Sequence, residues 1–264
     1  MRFRAIPHDA DAARGKPGTL LPFAPMRIAV LSDIHSNLVA LDAVLERLGS
    51  VDAIWQLGDV VGYGPDPDGV VARLAEIGAV GVRGNHDAAA VGGSEIEWFN
   101  PDARAAIEWT RERITADTKA WLEELPERLV ETDYTLVHGS PREPLWEYIT
   151  SSPVAHANLA VIRTRFGLHG HTHLPIAWAE ADGRTLSITP ADGSTFELSG
   201  QALLNPGSVG QPRDGIPDSS CMVIDTERGA VTWHRVPYDI GAVQAAMQHA
   251  GLPSRLVQRL SYGL

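Results

Sequence analysis

Apolar positions recur along this chain with two periods, and each change of period marks an element. The run RIAVLS, Arg27 to Ser32, is short and β-rich. Behind a Ser36-Asn37 cap, Leu38, Leu41, Val44, Leu45 and Leu48 then recur at helical spacing. The unit repeats, with a strand over Ala53–Leu57, a Gly/Pro-rich loop and a helix near Asp68–Ile77, after which Ala79–Val82 leads into a third loop. Asn100 and Pro101 read as the N-cap and first-turn proline of a helix to about Arg113, and Thr115 opens another that Pro126 ends. Tyr134–Val137 is again strand-like. Farther on the pattern is mostly β, over Ile176–Ala181, Thr185–Ile188, Thr195–Leu198, Ala202–Leu204, Cys221–Asp225 and Val231–Val236, with Asp-Gly turns at Asp182 and Asp192. Helical patterning returns at about Ile240–His249. Alternating β and α elements predict an α/β protein with a parallel-rich sheet and helices outside it.

Residues 1–25 show no hydrophobic period and carry Pro7, Pro17, Pro22 and Pro25 with Gly15 and Gly18, which predicts a Pro/Gly-rich N-terminal extension. Residues 26–264 are then expected to form a single domain, with Met26 as the natural start or at least the point where folding begins. A content of 44% hydrophobic and 21% charged residues is enough for a sizeable core. No apolar run is long enough to span a bilayer, and none of signal-peptide length follows Arg2 and Arg4. A formal net charge of -11 argues against sequence-independent binding of duplex nucleic acid. The one cysteine, Cys221, sits in an apolar stretch and is expected in the core; no intrachain disulfide can form, and a reducing cytoplasm is the expected compartment.

Potential metal ligands recur where strands are expected to end. Asp33 and His35 are two apart, so an extended backbone would point both to one side. Asp59 follows Gly58, Asn85-His86-Asp87 follows Gly84, His138 precedes Gly139, and His171 and His173 follow Gly170. Singly, each is an ordinary cap, turn or structural residue. Five such junctions in succession define a metal site at the carboxyl ends of the strands. Carboxylate, amide and imidazole donors without thiolate suit Mn, Fe or Zn and speak against a structural zinc knot.

These same residues, spanning about 26–175, resemble the signature of the calcineurin-like metallophosphoesterase superfamily. Asn205-Pro206-Gly207-Ser208-Val209-Gly210 is similar to a segment of its small bacterial and archaeal phosphodiesterase branch. The resemblance implies a four-layer α/β/β/α sandwich with two mixed β-sheets and a dinuclear site. By that resemblance Asp33, His35 and His173 hold one ion, Asn85, His138 and His171 the other, and Asp59 bridges them. Two divalent ions are implied, Mn foremost, with Fe, Zn, Ni or Mg as alternatives. The implied chemistry is hydrolysis of phosphodiesters, and of monoesters as a secondary class, by a metal-bridging hydroxide attacking in line. His86 is read either as the general acid for the leaving group or as an orienting residue, and Asp87 either orients it or caps a helix. His169 reads as an ordinary strand residue.

The chain also departs from known branches. Protein phosphatases of this superfamily place an arginine shortly after the Gly-Asp pair, where this chain has Tyr63, which lacks the guanidinium's bidentate grip. Tyr63 is a candidate to stack on a base or aryl group, or a loop aromatic packed on the core. Arg83 and Arg213 are candidate phosphate contacts, each with a surface salt bridge as the plainer reading. Trp98 and Phe99 follow the small-residue stretch 91–94 and read as a lid or as packing at a helix entry. A small or nucleotide-like phosphate ester is the expected substrate, with no membrane partner and the oligomeric state left open. A nuclease of the same superfamily is one alternative, which calls for a basic groove. A non-catalytic scaffold like the relative in the retromer coat is another, although that relative lacks the histidine found here at position 86.

Overall fold

The computed structural model describes residues 25–93 and 96–264. The expected N-terminal extension, up to residue 24, lies outside the described residues.

Strands β1 (Arg27–Leu31), β2 (Ala53–Gln56) and β3 (Val80–Gly81) run parallel. Four strands, β4 (Arg128–Glu131), β5 (Tyr134–Val137), β6 (Phe166–Leu168) and β7 (Pro175–Ala181), follow along the chain. The last five are β8 (Arg184–Ile188), β9 (Thr195–Glu197), β10 (Ala202–Pro206), β11 (Ser219–Asp225) and β12 (Ala230–Val236). They form two six-stranded mixed sheets, ordered β3-β2-β1-β11-β12-β9 and β4-β5-β6-β10-β7-β8. Helices α1 (Leu38–Leu48), α2 (Pro67–Glu76), α3 (Asn85–Ala90), α4 (Pro101–Arg111), α5 (Ala116–Glu124), α6 (Ser152–Leu159), α7 (Ile240–His249) and α8 (Ser254–Arg259) surround the sheets.

The layering follows from strand periodicity. In β1, Ile28 and Val30 face the second sheet, where they join Leu136, Leu168, Met222 and Trp233 in the central core. Ala29 and Leu31 point the other way, onto Leu41, Val44 and Leu48 of α1 and Val70 and Leu74 of α2. On the far side, Trp178 and Leu203 pack against Ala155 and Leu159 of α6. Two sheets face to face with helices on both outer faces make the expected α/β/β/α sandwich. Each buried aliphatic side chain contributes about 1.5–3 kcal/mol. A fourth cluster joins Tyr63 and Ala106 to Val243, Met247, Leu256, Val257 and Leu260, and so clamps α4, α7 and α8 beside the loops that follow β2.

The N-caps expected at Asn37, Asn100 and Thr115 are present, accepting from Ala40, Ala103 and Thr118 amides respectively. The third loop, in contrast, is largely helix: α3 begins at Asn85, with Asp87 Oδ2 accepting from Gly84 N–H at 2.9 Å and Oδ1 from Val61 N–H at 3.0 Å. Asp87 therefore caps a helix and ties two loops together. Strands β4 and β6 and helices α6 and α8 are short elements that the hydrophobic periodicity does not reveal.

Candidate metal centre and active-site cavity

The loops after β1 and β2 are hydrogen-bonded to one another, main chain to main chain. Asp33 N–H donates to Gly58 O at 3.0 Å, His35 N–H to Asp59 O at 2.9 Å and Ser36 N–H to Val60 O at 2.9 Å. The loop after β6 joins through Gly170 N–H to His138 O at 2.8 Å. The expectation that Asp33 and His35 share a side because the backbone is extended is wrong. Asp33, His35, Asp59, His171 and His173 all have φ between 51° and 65°, in the left-handed region. Each such residue costs roughly 1–2 kcal/mol, and strain of this kind persists where the surroundings over-determine it. Here the loops need sharp reversals at the strand ends to aim short side chains at one point.

They do converge. Ligand atoms of Asp33, His35, Asp59 and His173 all lie within 4.8 Å of one another, as do those of Asp59, His138 and His171, so Asp59 belongs to both groups. Asn85 joins the second group, with its amide oxygen 3.1 Å from His138 Nε2. Hydrogen bonding alone would favour the opposite amide orientation, with the NH₂ 3.3 Å from the Asp59 carboxylate; a cation reverses that preference, because an oxygen lone pair must then face inward.

The donor set fits metal ions on the evidence of its own hydrogen bonds. Nδ1 of His35, His138 and His173 meets the carbonyl oxygens of Val61, Leu57 and Gln211 at 3.2, 2.9 and 2.5 Å. A carbonyl only accepts, so these nitrogens carry a proton; the neutral rings of His35 and His173 present a bare Nε2 inward, and His138 would do so once a bound cation displaced its second proton. Those nitrogens crowd one another: His35 Nε2 lies 3.1 Å from His173 Nε2, and His138 Nε2 lies 3.0 Å from His171 Nδ1. Between His35 and His173, whose Nδ1 atoms both face carbonyls, two lone pairs meet and repel, and a cation between them removes the conflict.

The protonation states follow the same geometry. Burial holds His35, His171 and His173 well below the usual imidazole range, so they are neutral. Burial also opposes charge on His138 and Asp59. Their mutual attraction, supported by the neighbouring acids and histidines, outweighs it, holding Asp59 well below the carboxylate range and lifting His138 to about 9. Asp33 is pushed up to about 7 by burial, partly offset by His138 and reinforced by Asp59.

His86 N–H donates to Asp59 Oδ1 at 2.9 Å, which sets its ring beside the ligands. The ring packs edge-on against His35 and Phe99, both at 4.8 Å, and lies 4.4 Å from Tyr63. Burial lowers His86 to about 4, so it is neutral in the free protein. His169 is buried next to Asn205, which also donates to Gly170 O at 2.8 Å and Thr172 Oγ1 at 3.1 Å. Asn205 thus holds the His171 loop, Ser208 Oγ donates to Asp33 O at 2.8 Å, and the main-chain oxygen of Gln211 orients His173. The Asn205–Gly210 segment had been marked in the sequence, but not this bracing role.

A cavity of about 650 Å³ opens on the cluster, lined by Asp59, Asn85, His86, His171 and His173. Tyr63 and Arg213 line it too. Tyr63 packs on the core as the plainer reading expected, buried in the α4-α7-α8 cluster and edge-on to His35 at 4.5 Å. Arg213 Nη2 donates to Gln211 Oε1 at 3.1 Å and to Tyr63 Oη at 3.4 Å, with no ion pair among the described residues, so the salt-bridge reading fails for it. Arg83 is different: its guanidinium pairs with Glu127 at 3.4 Å, and it is not among the residues lining the cavity. The aromatic wall is Trp98, Phe99, Trp146 and Tyr148, with Tyr148 stacked on His171 at 3.9 Å. Trp146, Tyr148 and two arginines of α8, Arg255 and Arg259, were not singled out in the sequence, where nothing connects them with the ligands.

Comparison with known proteins places the chain in a class. Residues 26–229 match the model of the calcineurin-like phosphoesterase superfamily domain, and the chain belongs to that family. It is a metal-dependent phosphoester hydrolase. Among individual relatives, a solved metallophosphoesterase from Sphaerobacter thermophilus is 44% identical with a TM-score of 0.85, over 91% of this chain and 100% of that one. An uncharacterized protein of Methanocaldococcus jannaschii is 34% identical over 89% of this chain and 98% of its own length. Phosphodiesterase YfcE of Escherichia coli is 29% identical over 75% of this chain and 87% of its own. Among the described residues no helix is long and apolar enough to cross a membrane.

Proposed function

We propose that the protein is a dinuclear phosphodiesterase of the cytosol, acting on small phosphate esters. Asp33, His35, Asp59 and His173 would hold one ion, and Asp59, Asn85, His138 and His171 the other, with Mn as the first candidate. The observation that carries this reading is the pair of ligand groups sharing Asp59, with carbonyl-fixed imidazoles turning their Nε2 atoms inward. When bound, the two ions supply Lewis-acid stabilisation of the phosphoryl oxygens and acidify an attacking water.

The chain's own residues do the rest. The buried strand-end loops hold the ligands rigidly, so little reorganisation is needed in the transition state. His86 lines the cavity and has no other proton partner at its buried Nδ1. A phosphate anion beside it would favour the imidazolium and lift its pKa from about 4, preparing it to protonate a leaving alkoxide. Tyr63 and Phe99 pack against its ring and fix its orientation.

The test is hydrolysis of bis-p-nitrophenyl phosphate by chelator-stripped protein with and without Mn²⁺, alongside metal analysis. Metal-dependent turnover at two ions per chain is the expected result. His86→Gln should keep both ions and slow an alkyl ester by roughly 10²–10⁴-fold, but an aryl ester less, because p-nitrophenolate leaves without a proton. Silence at full two-metal occupancy would defeat the proposal.

A further inference from the structure

Against a formal net charge of -11, three arginines line the cavity that opens on the ligand cluster. Arg213 stands on the loop after β10. Arg255 and Arg259 are four apart on α8, whose Leu256, Val257 and Leu260 are buried in the cluster with Tyr63, so the two guanidiniums share the face left over. None of the three pairs with a side-chain carboxylate among the described residues. Arg259 donates from Nε to the main-chain oxygen of Leu264, and Arg213 Nε is buried with no partner. Asp102 also lines the cavity but pairs with none of them.

Three like charges converging in a partly closed cavity repel one another. Burial, then the charge of Arg213 and that of Arg255, bring Arg259 down to about 10. Such an arrangement is stabilised when an anion fills it, and guanidinium forks match phosphate oxygens bidentately. The cavity is also lined by aromatic side chains that solvent reaches: Trp98 is 62% exposed and Tyr148, stacked by one face on His171, 48% exposed. Exposed aromatic faces there suit a planar aryl or nucleobase group.

We propose that Arg213, Arg255 and Arg259 form a second phosphate subsite beside the hydrolytic centre, so that the preferred substrate is a nucleotide-type ester carrying at least one phosphate beyond the scissile one. This rests on the phosphodiesterase reading above for the position of the scissile group. Arg213 touches Tyr63, whose ring packs against His35 and His86, and the two arginines of α8 line the same cavity.

The experiment compares ADP with AMP as inhibitors of bis-p-nitrophenyl phosphate hydrolysis by the full chain loaded with Mn²⁺, and titrates both calorimetrically into the same protein. The expected result is tighter binding of ADP by tenfold or more. Arg255→Ala, Arg259→Ala and the double variant should bring that ratio toward one, and Arg259→Lys should retain part of it. Arg255 is exposed, so its variant keeps the test valid even where loss of the Arg259 contact to Leu264 disturbs folding. Equal affinities in the wild type, or a ratio that the double variant leaves intact, would overturn the subsite. Absent hydrolysis with the ADP preference preserved would instead fault the phosphodiesterase reading and leave the subsite standing, since the calorimetric ratio needs no turnover.

Discussion

Gly58 tests whether the strand-end loops are as tightly joined as their hydrogen bonds indicate. Its φ is +88°, and a Cβ added there would lie 2.5 Å from Gly84 N, 2.8 Å from Gly84 Cα and 3.0 Å from Arg83 C, all main-chain atoms. Ordinary contact begins at 3.4 Å, so the two loops would have to part by about 0.9 Å, the difference between 3.4 and 2.5. The conformational penalty for alanine at positive φ is roughly 1–2 kcal/mol. Crowding in a packed interior adds about 1–3 kcal/mol. Gly58→Ala should therefore cost roughly 2–5 kcal/mol, or about 4–20 °C in melting temperature at 2–4 °C per kcal/mol.

The functional effect should be larger than the loss of stability suggests. Gly58 precedes Asp59, and Gly84 precedes Asn85 and His86, so the same 0.9 Å separates the shared carboxylate from its partners in both proposed sites. A displacement of about 1 Å costs on the order of 100-fold in rate. Gly78→Ala is the control, because at φ +63° with nothing within 4 Å it carries the conformational part alone. Thermal melts, metal stoichiometry and bis-p-nitrophenyl phosphate turnover on both variants make the comparison. If Gly58→Ala were no less stable than Gly78→Ala and within threefold of wild-type turnover, the reasoning from loop contact would be wrong.

Other perturbations follow from separate parts of the structure. Asp214→Ala leaves Arg235, whose side chain is 9% exposed, without its carboxylate, and should cost about 3 kcal/mol in urea unfolding, whereas Arg235→Met with Asp214→Leu should recover most of it. Burial lifts the Cys221 thiol from 9.0 to about 12. The folded state thus retains a proton that the unfolded state loses. Its stabilisation is complete below pH 9, falls as pH rises toward 12, and should amount to a loss of roughly 3 kcal/mol by pH 11; Cys221→Ala should flatten that part of the slope in denaturant titrations. Stripping metal should lower the melting temperature, since ions held at 100 times Kd stabilise by about 2.7 kcal/mol per site; an unchanged midpoint at verified metal loss would count against the centre.

What the sequence reveals and what it hides divide along physical lines. Long amphipathic elements are legible because burying one face imposes a period, as in α1, where every fully buried residue lies on the predicted stripe or beside it. The ligands are legible because glycine and metal-binding side chains coincide at strand ends. The three-residue β6 and the eight-residue α6 contain too few periods to stand out. The left-handed backbone at Asp33 and His35 is invisible for a different reason: it is imposed by tertiary hydrogen bonds to the Asp59 loop, against local preference. Arg255 and Arg259 escape notice because their significance comes only from α8 folding back to the cavity.

That folding back also explains how one chain keeps its chemistry and its selectivity apart without uncoupling them. The proposed ligands come from loops between residues 33 and 173, but they are held from behind by a later segment. Ser208 bonds the main chain of Asp33, Val209 N–H donates to Ser32 O at 3.0 Å, and the Gln211 carbonyl sets the ring of His173. Two residues on, Arg213 enters the cavity against Tyr63. An anion drawn to Arg213 therefore pulls on the same short segment that orients His173 and supports Asp33. Because that segment is buried and tied to the ligand loops by these bonds, it transmits position rather than absorbing it. The proposed substrate contacts in the C-terminal part of the chain are thus mechanically continuous with the proposed metal ligands of the N-terminal part, and changes in α8 should alter preference among esters while changes at Ser208 should alter metal retention.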